Sequence, residues 1–277
     1  MFKKYLLSIC VASILLFIGL YVFVFQNQAV YDNEGTSAYI LDEYERDNYT
    51  KNTYQKQGFY NIEINTPTVK KLKSNNYNQN DLIKYYNKNN QNGADIIKSK
   101  EGGICWAAAM TSLLDYYGCE SDTKNLNNRA EIISKKVLDI AKKEGYWYPN
   151  TNGVSDSEED DILDDVFASY GGKYKKYDAN SDTFDLYKTI KKEVNAGRVS
   201  LLSIIKHTMA ACGYEEYAVT YKYKNWLGTT KKGKATSKYV VVNSAEDNYL
   251  PYHYYPENQI LTGISDRWDF TVTKIIK

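Results

Sequence analysis

The stretch Gly102-Gly103-Ile104-Cys105-Trp106-Ala107-Ala108-Ala109-Met110, running on to Leu113-Leu114-Asp115-Tyr116-Tyr117-Gly118, constrains this chain more than any other. Read as a helix, it opens at Ile104 or Cys105 and stops at Gly118, a residue suited to the left-handed position just past a helix end. Ala109, Ser112, Leu113 and Tyr116 recur at i, i+3, i+4 and i+7, while Met110, Leu114 and Tyr117 make a second apolar face. A helix apolar on several sides is central and buried. Cys105 therefore sits at the first turn of a buried helix, behind a flexible glycine pair. The backbone N–H groups of a first turn have no intrahelical partner and the helix dipole is positive there, which favours a thiolate over a thiol. A structural cysteine that merely begins a core helix is the plain alternative, and this stretch alone does not separate the two.

Composition narrows the field mainly by exclusion. The chain has 277 residues and a formal net charge of +1, so no bulk electrostatic attraction draws it to nucleic acid. Its four cysteines (Cys10, Cys105, Cys119 and Cys212) contain no C-x-x-C pair, and there are only two histidines, which argues against a zinc site and against a disulfide framework. One bridge, Cys119 with Cys212, remains open for an extracellular domain.

Taken in order, the chain opens with a short tail, residues 1–4, carrying Lys3 and Lys4. Residues 5–25 follow as an uncharged apolar run of about 20 residues, enough to cross a bilayer core of about 30 Å as a helix. A cleaved signal peptide has a shorter apolar core and a small-x-small cleavage site, and Asn27-Gln28-Ala29 does not supply one. The expectation is an uncleaved signal anchor. Lysines before it and Asp32, Glu34, Asp42 and Glu43 after it put the N-terminus in the cytoplasm and the rest outside. Cys10 reads as one more apolar residue of the span. Residues 26–92 are polar with weak periodicity, apart from the strand-like alternation of Tyr60-Asn61-Ile62-Glu63-Ile64; they read as a stalk or a pro-segment.

Residues 93–277 read as one α+β domain. Helices are expected over 104–117, over 130–144 with a stripe of Ile132, Ile133, Val137, Ile140 and Ala141, over 162–170, and over 183–195. Glu158-Glu159-Asp160-Asp161 lacks the ligand spacing of a calcium loop and suits a solvated helix start. Strands are expected over 199–205, 208–211, 217–223, 239–242 and 268–275, with 224–238 as a hairpin extension.

Two further residues complete a possible chemistry. His207 lies at a strand boundary, and Asn243 ends the strand Tyr239-Val240-Val241-Val242. A thiolate nucleophile needs an imidazole within reach, and the imidazole needs a third group to orient it. Either residue alone reads as ordinary structure, and His253, in a Tyr-rich loop, reads as surface or groove packing.

Three segments carry a resemblance. Gly103-Ile104-Cys105-Trp106-Ala107 is similar to the nucleophile segment of papain-like cysteine proteases. His207-Thr208-Met209-Ala210-Ala211-Cys212-Gly213-Tyr214 resembles their histidine segment, and Val242-Asn243-Ser244 their Asn-Ser segment, in the family's order. The short spacing from Cys105 to His207 resembles compact bacterial members, staphopain-like or leader-peptidase-like. The resemblance covers residues 93–277 and implies a helical half, with a central Cys-bearing helix, packed on an antiparallel sheet half. It implies a Cys105–His207–Asn243 triad cleaving peptide or protein substrates, with no cofactor and no metal; joined to the span read at residues 5–25, the expectation is an extracytoplasmic domain held at a bacterial membrane. The same triad would serve an acyltransferase or transpeptidase, and a catalytically inactive surface binding module is the other alternative. The chain departs from the family at Gly102, where a cysteine is common, and at Ser99, where the oxyanion-hole glutamine is usual; Gln91 lies further upstream. Ala245-Glu246 replaces the usual Trp-Gly, and Asp247 is an alternative to Asn243 as the orienting group.

Overall fold

One long strand, β5 (His207–Lys224), organises the sheet because three shorter strands share one of its edges in turn. The computed structural model describes residues 43–90, 96–97, 103–149, 153–171, 175–180, 186–204, 207–245, 253–256 and 271–276. The elements are α1 (Glu43–Lys56), β1 (Tyr60–Ile64), β2 (Thr68–Lys71), α2 (Gln79–Asn89), α3 (Cys105–Tyr116), α4 (Leu126–Lys143), α5 (Asp156–Ser169) and β3 (Lys175–Asn180). They continue with α6 (Leu186–Asn195), β4 (Ser200–Ile204), β5, β6 (Thr230–Asn243), β7 (His253–Pro256) and β8 (Thr271–Ile276). The sheet runs β3-β8-β4-β5-β6-β7, every pair antiparallel. β4 covers residues 207–211 of β5, β2 covers 213–216 and β1 covers 219–222.

The α+β class read from sequence is the class observed, with helices and an antiparallel sheet. Alternation along β6 sorts the two faces. Tyr239 and Val241 join the main core with α2 to α5, while Val240 and Val242 join Leu202, Met209, Ala211 and Tyr214 beneath α6. The central helix is α3, with Trp106 to Leu114 all buried, and Gly118 takes the left-handed conformation (φ 82°) that ends it. Trp106 meets Trp147 edge-on, and Trp147 meets Tyr86 of α2 in the same way.

Residues 43–90, read from sequence as a stalk or a pro-segment, carry α1, β1, β2 and α2 and pack on the sheet, so over this range the chain is no extended spacer. Arg46 of α1 pairs with the buried Glu215 of β5 at 2.8 Å, and Thr50 bonds the Tyr239 hydroxyl at 2.6 Å. Leu72, just past β2, donates its N–H to Cys212 O. The polar residues that disguise this segment are the ones that make these contacts. Other expectations shift in detail. The strands expected over 208–211 and 217–223 are one strand, broken only by a register slip between Ala211 and Gly213. α4 starts four residues before the expected 130, because Asn125 caps it with bonds to the N–H groups of Asn127 and Asn128. Among the described residues no helix is long and apolar enough to cross a membrane; the span expected over 5–25, with Cys10, lies outside them.

Candidate functional site

Cys105 is the first residue of α3 and is partly exposed, whereas Cys119 and Cys212 are buried. None of the three is in a disulfide, so the possible Cys119–Cys212 bridge is not formed. Burial pushes the Cys212 thiol up to about 12, which removes it as a nucleophile at neutral pH. The start of α3 differs from other helix starts in the fold. Asn78, Asn125 and Ser155 cap α2, α4 and α5 with side-chain oxygens, but Ile104 supplies no side-chain cap to α3. The first intrahelical bond there is Ala108 N–H to Ile104 O, so Cys105 lies in the turn that carries the positive end of the helix dipole.

Several anchors fix the direction of α3 over the sheet. At its C-terminal end, the Tyr117 hydroxyl donates to Val199 O at 2.8 Å and the Tyr116 hydroxyl donates to Gly197 O at 2.7 Å. From Val199, β4 runs toward Ile204, which pairs with His207. A helix rises 1.5 Å per residue, so Cys105 lies about 18 Å from Tyr117. Val199 to Ile204 covers about 16 Å of strand. Asn75 donates to Asp115 and Tyr77 N–H donates to Ser112, while Asn76 and Gln79 bond Ala245, so the segment after β2 ties the end of β6 to the C-terminal half of α3. His207 and Asn243 lie at the same end of the β5–β6 pair, and Cys105 opens α3, the helix packed on β5. The loops leading into α3 and α5 meet: a Cβ on Gly103 would stand 3.4 Å from Gly153 N.

His207 is the first residue of β5 and is buried. Asn243 is the last residue of β6, fully buried, and pairs with Ala210 three residues beyond His207. Its amide donates to Ser74 Oγ and to Asn75 O, each at 3.1 Å, and its carbonyl lies 3.8 Å from Cys212 Sγ. Those bonds hold the side chain from the N-terminal segment and leave the carbonyl with a second lone pair for an imidazole N–H. Just beyond, Ala245 takes a left-handed conformation (φ 64°) at the place of the Trp-Gly expected from the resemblance. His253 opens β7 with its backbone opposite Val242, beside Asn243. Ser99, Gln91 and Asp247 lie outside the described residues.

One residue at this end escaped the sequence reading. Glu159 is not part of a solvated helix start: it is buried, accepting hydrogen bonds from Ser203 Oγ at 2.7 Å and from Thr208 Oγ1, the neighbour of His207. It ties α5 to both strands of the β4–β5 turn. The signal was present in the helix phase. Ser155 and Glu158 form a capping box that sets where α5 starts, and Glu159 precedes Ile162 and Leu163 by three and four residues on the buried stripe.

Among the described residues no group of three or more His, Cys, Asp or Glu is arranged to hold a metal ion. Comparison with known proteins found no matching family model, no matching curated protein and no matching solved structure.

Proposed function

We propose that this chain is a membrane-anchored, extracytoplasmic thiol hydrolase, a cysteine peptidase of papain-like type. The observation that supports the proposal is a partly exposed cysteine at a helix start without a side-chain cap, in one fold with a histidine and an asparagine at the same end of the β5–β6 pair. The Cys105 thiolate attacks the peptide carbonyl, and the C–O π electrons move to oxygen. The N–H groups of the first turn of α3 stabilise that oxyanion. Imidazolium at His207 protonates the amine as the C–N bond breaks, leaving a thioester on Cys105. His207 then takes a proton from water, hydroxide attacks the thioester, and the acid leaves with the thiol restored. Asn243 orients the ring. Residues 5–25 hold the domain at the outer face of the membrane.

The test is hydrolysis of a peptide library, together with labelling by a thiol-reactive peptide warhead, in the full chain and in Cys105→Ala. Loss of both in the variant is expected. Hydrolysis that persists in Cys105→Ala overturns the proposal.

A further inference from the structure

The β5–β6 hairpin runs past the rest of the sheet. β1 reaches only as far as Lys222, so from Tyr223 to Thr230 the two strands pair with each other alone. At the tip, Trp226 is 92% and Leu227 65% exposed, the most exposed large apolar side chains among the described residues. They are not displayed by a loose loop. Asn225 accepts the N–H groups of Leu227 and Thr229 on its side chain, donates its own N–H to Thr229 O, and accepts the Gly228 N–H on its carbonyl. Gly228 takes the left-handed conformation (φ 73°) that this closure requires. The turn thus ties down the N–H groups of Asn225, Leu227, Gly228 and Thr229 internally and leaves its apolar side chains exposed, which lowers the cost of bringing it to an acyl-chain boundary.

Charge supplies the other half of the argument. Between Tyr221 and Lys234 there are five lysines (Lys222, Lys224, Lys231, Lys232 and Lys234) and no acidic residue. Lys222 and Lys232 stand directly opposite each other in the ladder, a like-charge pairing that destabilises a free hairpin. Tyr60 bonds Thr230 at the base, adding an amphipathic ring at the level of the lysines. An exposed tryptophan and leucine at the apex, tyrosines and lysines behind them, and excess positive charge match the profile of an interface between water and anionic lipid.

We infer that the tip of the β5–β6 hairpin seats on an anionic bilayer surface, with Trp226 and Leu227 entering the headgroup–acyl boundary and the lysines pairing with lipid phosphates. The site lies on the hairpin alone and does not depend on the chemistry at Cys105. The experiment uses the full chain in lipid nanodiscs whose acyl chains are brominated, of phosphatidylglycerol or of phosphatidylcholine. Trp106, Trp147 and Trp268 are common to the parent and Trp226→Phe, so the difference in emission between the two reports residue 226. Quenching of that difference in phosphatidylglycerol discs, weakened by high salt and by the combined K224Q, K231Q, K232Q and K234Q variant, is expected. Absence of quenching, or equal quenching in the two lipids, overturns the inference. So does binding to soluble polyglutamate without bromolipid quenching, which would assign the tip to a soluble polyanion. The readout is fluorescence, so its failure is distinct from failure of the peptidase proposal.

Discussion

Gly213→Ala tests whether β2 is clamped to β5 or merely lies beside it. A Cβ at this position would stand 2.6 Å from Lys70 O, 3.1 Å from Lys71 Cα and 3.1 Å from Val241 Cβ. Two of the three atoms are backbone, so no rotamer change relieves the overlap and β2 itself must retreat. β2 is only four residues long, and it continues into the Leu72 N–H bond to Cys212 O at 2.8 Å, so retreat strains the ladder and its exit together. Overpacking of this kind costs about 1–3 kcal/mol. Restricting the unfolded chain returns about 0.4–1 kcal/mol, leaving a net loss of about 1–2 kcal/mol. For a domain of roughly 200 residues each kcal/mol moves Tm by about 2–4 °C, so a fall of about 2–8 °C is expected. Thermal melts followed by circular dichroism give the shift, and hydrogen exchange locates it: the Leu72 amide should exchange faster while those of α4 do not change. A melting temperature equal to or above the parent, with Leu72 protection intact, refutes the close-approach reasoning. Because β2 leads to Ser74 and Asn75, which hold the Asn243 amide, the same variant loosens the far end of the candidate site.

Asn243→Ala removes two hydrogen bonds from a fully buried side chain and leaves Asn75 O without its donor, so a loss of about 2–4 kcal/mol is expected in urea unfolding; a loss below about 1 kcal/mol would show that Ser74 and Asn75 do not need it. Stability should also fall in alkali. Burial holds the Cys212 thiol, ordinarily near 9.0, up to about 12, and the Tyr239 hydroxyl, ordinarily near 10.0, up to about 12. Above about pH 9 the unfolded chain releases these protons while the folded chain keeps them. The folded state then binds more protons, and stability declines as pH rises toward 12. Urea midpoints that stay constant from pH 8 to about 11 would refute that assignment.

What was legible in the sequence and what was not divides along the range of the interactions. The helix at Cys105 declares itself through its own residues, with small side chains, two apolar faces and a glycine to end it. The strand at Tyr60 and the alternation through Tyr239 to Val242 are equally local. The sequence of β5 reads as two pieces because Cys212-Gly213-Tyr214-Glu215-Glu216 looks like an interruption. Each of those residues answers to a partner far away in the chain: Gly213 to the backbone of β2, Glu215 to Arg46, Glu216 to Lys191. The same cause hid residues 43–90, whose polar side chains find buried partners on β5 and β6 instead of water. A glutamate such as Glu159 reads as solvated until the hydroxyls of Ser203 and Thr208 are known to face it. The candidate triad was legible as residue types in order, since those identities are local, while the bonds that fix Asn243 come from the segment that looked like a spacer.

The succession of β4, β2 and β1 along one edge of β5 bears on what proteolytic processing could achieve. Residues 43–90 contribute two rungs of that succession and the guanidinium that neutralises Glu215. A nick anywhere between Asn90 and Gly103 would separate the covalent chain and leave the assembly whole, because departure of the smaller fragment would bare a run of strand and strand a buried carboxylate without its cation. Cleavage there would mature the molecule into a two-chain complex: two bands under denaturing conditions, and one particle in solution.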